Sequence, residues 1–524
     1  MAPNRVLMVS AENDGLRGAK VGGMADVVRH AAVALAARGW TVDVVIPSYG
    51  FLHREPGANR VGATSVRFRG ALTEVEVYLV PGRHDLSGVS HFVIDHPAFL
   101  SVVNGRPEIY RSDPPGRPFA TDADKFALFA AAVVACVSAG QIRTPSVLHL
   151  HDWHAAIVLI LRDYTEGAEW LRDVRVVFTI HNLAFQGIRP LAGDESSLDA
   201  WFPELGRQAS IADPRWPSCV NPMAVGIRRA DAVHAVSPTY ATEILEPTKA
   251  PAFFGGEGLE DDLRRAHAER RLHGILNGCD YSTLSASDRR AFPDLLALFH
   301  ADVLRWIATE SAVSPANTIA LERIRMLREV DPRVILTSVT RIGEQKLLLL
   351  RAPGSQGRPA LETILESLID DGIYILLGSG DKQYEDFLLS ATAAHPNFLF
   401  LNGFSDAAAN ALYASGDLFV MCSSFEPCGI SQMLAMRAGQ PCLVHGVGGL
   451  RDTVANDVNG FAFTGSTLVD QVDGFTAACQ RALDVHKHDA TRWQEMRQNA
   501  AAARFRWEDS AAAYVSRLYT ESAV

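Results

Sequence analysis

Ten short runs of aliphatic and β-branched residues recur along the chain, each closed by glycine or polar residues and followed by an amphipathic stretch. In the first half they are RVLMVS (5–10), TVDVVIP (41–47), SVLHL (146–150), VRVVFTI (174–180) and AVHAV (232–236). In the second half they are RVILTSV (333–339), IYILLG (373–378), NFLFLNG (397–403), DLFVMCS (417–423) and PCLVHG (441–446). The runs are nearly continuous rather than alternating, as expected of parallel strands covered on both faces. The intervening lengths suit crossover helices, so the pattern predicts an α/β protein with two doubly wound, Rossmann-like domains. The rhythm lapses between residues 281 and 330, where YSTLSASDRRAF leads into an extended helical region. A first domain over 1–283 and a second over 284–505 follow. The alanine-rich tail reads as helical, and its last segment, 506–524, is expected to pack back towards the first domain. APGSQGRP (352–359) reads as a surface loop.

A chain of 524 residues is too long for one ordinary core, which agrees with two large domains. FALFAAAVVACVSAG, from Phe126, is too short and alanine-rich for a membrane span and reads as a buried helix. The first residues, MAPNRVLMVSAEND, do not make a signal peptide, so a cytoplasmic location is expected. Seven cysteines without a CxxC pair disfavour a disulfide framework or a structural zinc site. Cys422, Cys428 and Cys442 read as small buried hydrophobes. A formal charge of −11, with no basic stripe interleaved with aromatics, disfavours nucleic acid as a partner.

Open parallel sheets bind ligands beyond the carboxyl ends of their strands, and polar residues gather at those ends here. Glu12 and the stretch AKVGGMADVV, with Lys20, Gly22, Gly23 and Asp26, follow the first run. A glycine pair opening a helix, with a lysine beside it, suits an anion, although a plain loop explains the same residues. His151, Asp152, Trp153 and His154 follow SVLHL, and His181, Asn182, Phe185 and Gln186 follow VRVVFTI. His151 and His154 lack a nearby third ligand, so packing or substrate hydrogen bonding suits them better than zinc. In the second half, Arg341 with Lys346 fits a phosphate clamp or a solvated charged face. Gly378 and Gly380 end IYILLGSG, and Gly448 and Gly449 open a helix as either a turn or an anion cradle. Glu426, between Phe425 and Pro427-Cys428, is a carboxylate in apolar surroundings and needs a partner.

Together the stretches KVGGMADVV, LHLHDWHAA, TIHNLAFQG, RRADAVHAVSPTYATEI, GILNGCD, RIGEQK, SSFEPCGISQMLAMRAGQPCLV and GVGGLRDTV resemble the bacterial glycogen synthase and plant starch synthase family. The family consists of retaining glycosyltransferases of the GT-B fold, in which two Rossmann-like domains face each other across a cleft. The resemblance implies a glycine loop of Lys20, Gly22, Gly23 and Asp26 that meets the donor's diphosphate and sugar. It implies His181 over the glucosyl unit, Asn277 lining the cleft, and Arg341 and Lys346 on the leaving diphosphate. Glu426 would hold sugar hydroxyls, and Gly378, Gly380, Cys428, Gly429, Gly448, Gly449 and Leu450 would lie along the donor. Asp122, Asp152, Trp153, His154, Asn182 and Gln186 fall on the acceptor side. No cofactor or obligatory metal is implied; the partners would be a nucleotide sugar and a carbohydrate acceptor.

Two cations and helix N-termini aimed at a departing diphosphate would stabilise its growing charge without magnesium. No matched motif supplies a nucleophile near His181, so front-face attack beside the leaving group is the expected route to retention. The chain departs from the family at Leu347, where QKG is usual, and at Ser424, where an arginine is usual. Ala224 stands for a lysine, Lys125 for an arginine, and YSTLSASD replaces a stretch bearing a tryptophan and Asn-Pro. These departures bear on the acceptor and the donor base. The leading expectation is glucosyl transfer from ADP-glucose to the non-reducing end of an α-1,4-glucan. Its rival moves glucose from UDP-glucose or another nucleotide sugar to a small sugar, polyol or polysaccharide precursor. A non-catalytic glucan-binding relative is the reading from another class, and the retained Lys20, His181, Arg341, Lys346 and Glu426 weigh against it. Nothing in the chain resembles the pyridoxal-phosphate lysine site of a phosphorylase.

Overall fold

A computed structural model describes residues 4–83, 88–103, 105–164, 168–205, 209–282, 289–309 and 314–520. The chain separates into two compact units. The first takes the described residues up to Thr248, Gly255–Gly278, and the tail from Trp507; the second takes Lys249–Phe254 and Cys279–Arg506.

The sheet of the first unit has nine strands: β1 (Arg5–Val9), β2 (Thr41–Pro47), β3 (Asn59–Phe68), β4 (Ala71–Val80), β5 (Val89–Asp95), β6 (Val147–His151), β7 (Arg175–Ile180), β8 (Ala232–Ala235) and β9 (Leu272–Gly274). Their spatial order is β9-β8-β7-β6-β1-β2-β5-β4-β3. All pairings from β9 to β5 are parallel, as the apolar runs predict. At one edge, in a stretch where no apolar run was marked, β3, β4 and β5 pair antiparallel. Over residues 59–80 only Val66, Val75, Val77 and Val80 are buried, and the rest are half-buried or exposed. A continuous-run criterion passes over such a pattern. Arg69 and Gly70, at φ 54° and 72°, form the two-residue turn that a twisted hairpin requires.

Four helices of this unit position the residues of interest: α1 (Gly23–Ala37), α2 (Ala120–Ser138), α3 (Asp152–Tyr164) and α4 (Pro222–Arg229). The run at Phe126 forms most of α2 and is buried from Phe126 to Val137 apart from the half-buried Ala135. The tail supplies a helix over Trp507–Ala513 and a π-helical turn over Tyr514–Tyr519, both packed within this unit. Trp507 stacks on His30 at 6.0 Å and lies against Gly278.

The second unit holds a six-stranded, wholly parallel sheet: β10 (Val334–Val339), β11 (Gly372–Gly378), β12 (Phe398–Asn402), β13 (Leu418–Met421), β14 (Cys442–His445) and β15 (Gly460–Phe463). The order β12-β11-β10-β13-β14-β15 reverses between β10 and β13, a topological switch point of the kind at which such sheets bind ligands. Strand residues alternate between two apolar cores. Leu336, Tyr374, Phe400 and Val420 enter one, and Ile335, Ile375, Leu399 and Phe419 the other. Burial on both faces explains why these strands read as unbroken runs. Three helices matter below: α5 (Glu344–Arg351), α6 (Ser431–Arg437) and α7 (Gly448–Thr453).

Candidate functional site

In the first unit, the loop after β1 is built around Glu12. Its carboxylate Oε2 accepts the N–H groups of Val21 and Gly22, both at 2.6 Å, and Oε1 accepts the Tyr110 hydroxyl at 2.7 Å. Gly22 is the N-cap of α1 and has no side chain to satisfy the helix, so Glu12 supplies the negative charge that a helix start favours. The amides of Val21 and Gly22 are therefore occupied by the protein's own carboxylate. Lys20 stands at the exposed side of this loop with Nζ 2.6 Å from Asp26 Oδ1. Burial raises the Asp26 carboxyl above its ordinary range, and Lys20 pulls it back.

The ends of β6 and β7 bring Asp152 and His181 together. Asp152 is buried at φ 56°, and its Oδ1 accepts the His181 amide at 2.7 Å. Burial pushes its carboxyl up to about 7 against the pull of the His181 and Asn182 amides. His181 Nε2 lies 3.0 Å from His151 Nδ1, and His151 stacks on His149 at 4.4 Å. Burial holds the rings of His149, His151 and His181 well below the usual histidine range, and that of His234 at about 4. With neutral rings, the protons along the row can be assigned. The Ile275 carbonyl only accepts, so His234 carries its proton on Nε2 (3.0 Å) and receives the Thr179 hydroxyl on Nδ1 (3.0 Å). Thr179 Oγ1 then accepts from His149 Nε2 (2.6 Å), leaving His149 Nδ1 to accept the hydroxyl of Tyr519 (2.8 Å). The C-terminal tail thus closes a hydrogen-bonded row in which His149 stacks on His151, the neighbour of His181.

Stability should report the buried Asp152. The folded chain holds the Asp152 proton up to about pH 7, whereas an unfolded carboxyl releases it near its ordinary value of 3.8. Between those values the folded state binds more protons, so this group's contribution falls as pH rises. Asp152→Asn, which carries no such proton, should gain on the native chain by about 1.4 kcal/mol per pH unit across that window. Urea unfolding of both proteins at pH 5 and pH 7 measures it, and a pH-independent difference would contradict the assignment.

The other first-unit candidates are held by the protein itself. Trp153 and His154 are buried, Trp153 against Phe119, Phe126 and Gly187, and His154 against Phe126 at 4.6 Å. Burial takes the His154 ring down to about 3. Asp122 accepts the Arg111 amide and pairs with the buried Lys125 at 2.8 Å, while Lys125 also donates to the Ile109 carbonyl. Asn182 closes a turn onto the Ala184 amide at 3.1 Å. Gln186 accepts from Arg215 and Asn221 and donates to the Leu183 and Glu257 carbonyls. Asn277 is buried, and its Oδ1 finds no hydrogen-bond donor among the described residues.

In the second unit, residues 80 positions apart meet at the switch point. Lys346, on the first turn of α5, forms an ion pair with Glu426 Oε2, which also accepts the Ser423 hydroxyl at 2.9 Å. Gln345 Nε2 donates to the Phe425 carbonyl at 3.0 Å, and Ser424 N donates to the Gln345 carbonyl at 2.8 Å. These bonds stitch SSFEPCG onto RIGEQK. Arg341 lies exposed between β10 and α5. Gly378 ends β11, and the Gly380 amide is taken by the Glu385 carboxylate at 2.7 Å. The Gly449 amide donates to the Glu426 carbonyl at 3.1 Å, and Gly448 and Gly449 press onto the backbone of Glu426 and Cys428. Gly429 takes φ 75°; Cys428 and Leu450 are buried. All seven cysteines are free.

The departures have local explanations. Leu347 is buried in the core beneath α5, Ser424 uses its hydroxyl on the Gln345 carbonyl at 3.1 Å, and Ala224 is fully buried in α4. Phe404, 62% exposed just past β12, is a ring at a strand's carboxyl end that the sequence reading passed over. The rule that singled out the other strand ends would have found it. Tyr110, the anchor of Glu12, has no motif to mark it.

The starch synthase catalytic domain profile matches residues 5–265, and that of glycosyl transferases group 1 matches residues 359–488. The glycogen synthase of Streptococcus equi subsp. zooepidemicus (strain H70) is 32% identical over 523 residues, covering 98% of each chain. That of Anaeromyxobacter dehalogenans (strain 2CP-1 / ATCC BAA-258) is 35% identical over 507 residues, covering 94% of this chain and 95% of its own. The chain belongs to the glycogen and starch synthase family. It is a glycosyltransferase of the GT-B fold, which its two doubly wound units match. Among solved structures, the catalytic domain of starch synthase IV from Arabidopsis thaliana, bound to ADP and acarbose, has a TM-score of 0.75 at 26% identity over 99% of both chains. A sucrose-phosphate synthase from Thermosynechococcus elongatus, at TM-score 0.53 and 17% identity, shares the fold alone. Among the described residues of this synthase-family chain, no helix is long and apolar enough to cross a membrane, and no three His, Cys, Asp or Glu side chains gather as metal ligands.

Proposed function

We propose that this glycosyltransferase moves glucose from ADP-glucose to the non-reducing end of an α-1,4-glucan with retention at the anomeric carbon. The observation that carries the reading is the Lys346–Glu426 pair at the switch point, with Arg341 on the same loop. Lys346 and Arg341 serve the departing diphosphate, and Glu426, held by Lys346 and Ser423, offers its remaining acceptor capacity to sugar hydroxyls. ADP and acarbose in the Arabidopsis starch synthase IV structure support an adenine donor and a glucan acceptor. Phe404 is the exposed ring on which the donor base stacks. Lys20 and Asp26 serve the donor in the first unit, and the amides of Val21 and Gly22, held by Glu12, only shape that loop. Asp152 is a poor nucleophile, since Oδ1 is committed to the His181 amide and burial raises its carboxyl to about 7. That supports front-face attack beside the leaving group. No divalent ion is needed, because Arg341 and Lys346 supply the positive charge, and the enzyme acts in the cytoplasm.

The test is nucleoside diphosphate release from ADP-glucose, UDP-glucose and other nucleotide sugars, with and without glycogen and in the presence of a chelator. Glycogen-dependent ADP release is expected. A second reading rests on Ser424 and Ala224, neutral where the family carries cations. Release from another donor, or release indifferent to glycogen, would favour that reading, in which the same chemistry serves a smaller acceptor.

A further inference from the structure

The loop over Asp213–Ser218 holds a tryptophan in an unusual way for a surface residue. Trp216 is 51% exposed, yet its attitude is fixed from beneath. The Arg215 guanidinium lies 4.4 Å from the centre of its ring. That guanidinium is itself immobilised: it donates to Gln186 Oε1 at 2.7 Å, to Asp213 Oδ2 at 3.1 Å and to the Glu257 carbonyl at 2.5 Å. The buried Asp213 carboxylate also accepts the backbone amides of Arg215 at 2.7 Å and Trp216 at 3.0 Å. The Trp216 carbonyl accepts the Cys219 amide at 2.8 Å. A large ring left half in water is ordinarily a loss; here polar groups from three segments hold it there. The indole N–H meets no acceptor among the described residues.

The surroundings connect this ring to the acceptor-side candidates. Gln186, which grips Arg215, is buried, and the next residue back in the chain, Phe185, is 50% exposed. Phe185 packs edge-on to Phe119 at 6.4 Å, and Phe119 packs on Trp153 at 5.8 Å. Rings thus run outward from the buried Trp153 to the surface beside the loop that presents Trp216.

We infer that Trp216 is a glucan-binding platform, on whose open face a glucose unit of the acceptor stacks away from the end being extended. The C–H face of a glucopyranose is apolar and flat enough to cover an indole, and its rim of hydroxyls can take the indole N–H. A ring whose rotamer is already fixed loses little entropy on binding. The Arg215 charge behind the ring favours a neutral, hydroxyl-rich ligand over a second cation. The inference rests on the reading of the acceptor as an α-glucan.

The test compares Trp216→Ala and Trp216→Phe with the native enzyme, using glycogen and maltotriose as acceptors. Trp216→Ala should raise the KM for glycogen about tenfold, equivalent to about 1.4 kcal/mol. The maltotriose KM and kcat should not move, since a short acceptor does not extend to the platform, and Trp216→Phe should recover most of the loss. Equal effects on both acceptors, or none on either, would overturn the platform. Electrophoresis through gels containing glycogen reads the same site without a donor: the native protein should be retarded and Trp216→Ala less so. Equal mobility of the two overturns the inference. Retardation that persists when every donor is silent would instead sink the transferase reading and leave the platform standing.

Discussion

Lys346→Ala should lower kcat by about two to three orders of magnitude, the usual cost of deleting one positioned donor from a charge-stabilising site. The structure makes a second demand on the same variant. Lys346 is tied to Glu426, and both side chains are largely covered, so deleting the lysine leaves a covered carboxylate with the Ser423 hydroxyl and no counter-ion. Removing one partner of a buried pair costs about 3–5 kcal/mol. Lys346→Ala and Glu426→Ala should therefore each lower the melting temperature, and the double variant should be more stable than their sum predicts. Activity should separate from stability. If Lys346 acts only by holding Glu426, the double variant turns over no more slowly than Glu426→Ala; if it also meets the departing diphosphate, the double variant is slower than either single variant. Steady-state kinetics and thermal melts on the three variants decide. Full activity in folded Lys346→Ala would remove this residue from the mechanism.

Much of this fold was legible because both sheets are buried on two sides in their parallel parts. A strand such as Leu418–Met421 has no polar face, so its run is unbroken and its boundaries are sharp. The hairpin Asn59–Val80 escaped because most of its residues are exposed or half-buried and the turn that defines it is only Arg69-Gly70. The site was legible to the extent that strand ends are predictable. RIGEQK and SSFEPCG follow β10 and β13, which turn out to be adjacent strands, so their loops meet. Sequence could not say that Lys346 and Glu426 would bond to each other, since the strand order decides it. The part played by Glu12 was hidden for a different reason: a carboxylate that satisfies two backbone amides leaves no pattern at its own position. The acceptor-side candidates were the least legible. Gln186 is polar and follows a strand, yet all its capacity is spent inside the protein, and Trp216, which is exposed and rigidly held, follows no strand of the sheet.

Gly449→Ala should do more harm than its size suggests. The sequence admits two readings of the pair Gly448-Gly449, an anion cradle or a turn into a helix. The structure adds a third. A methyl group at Gly449 would fall within van der Waals contact of the Cys428 carbonyl and Cα, and one at Gly448 would strike the Glu426 carbonyl. Both obstacles are backbone, in the loop that carries Glu426, so no side chain can rotate out of the way. Either α7 or the Phe425–Gly429 loop has to retreat. Retreat breaks the Gly449 amide's bond to the Glu426 carbonyl, and the segment behind it cannot follow, because Leu450 is fully buried. Overpacking of this kind costs about 1–3 kcal/mol. The larger effect should fall on catalysis, since moving Glu426 by even about 1 Å takes it and its lysine out of register with the substrate, a displacement that can cost about a hundredfold. The expected result is a soluble protein with a modestly lowered melting temperature and kcat reduced about a hundredfold. Gly439→Ala controls for the general cost of a methyl group at a helix end, since its site has no neighbour closer than 3.5 Å, but it carries the added strain of φ 77°. If the control loses as much kcat as Gly449→Ala, the close packing of α7 on the Glu426 loop is not what holds the carboxylate in place.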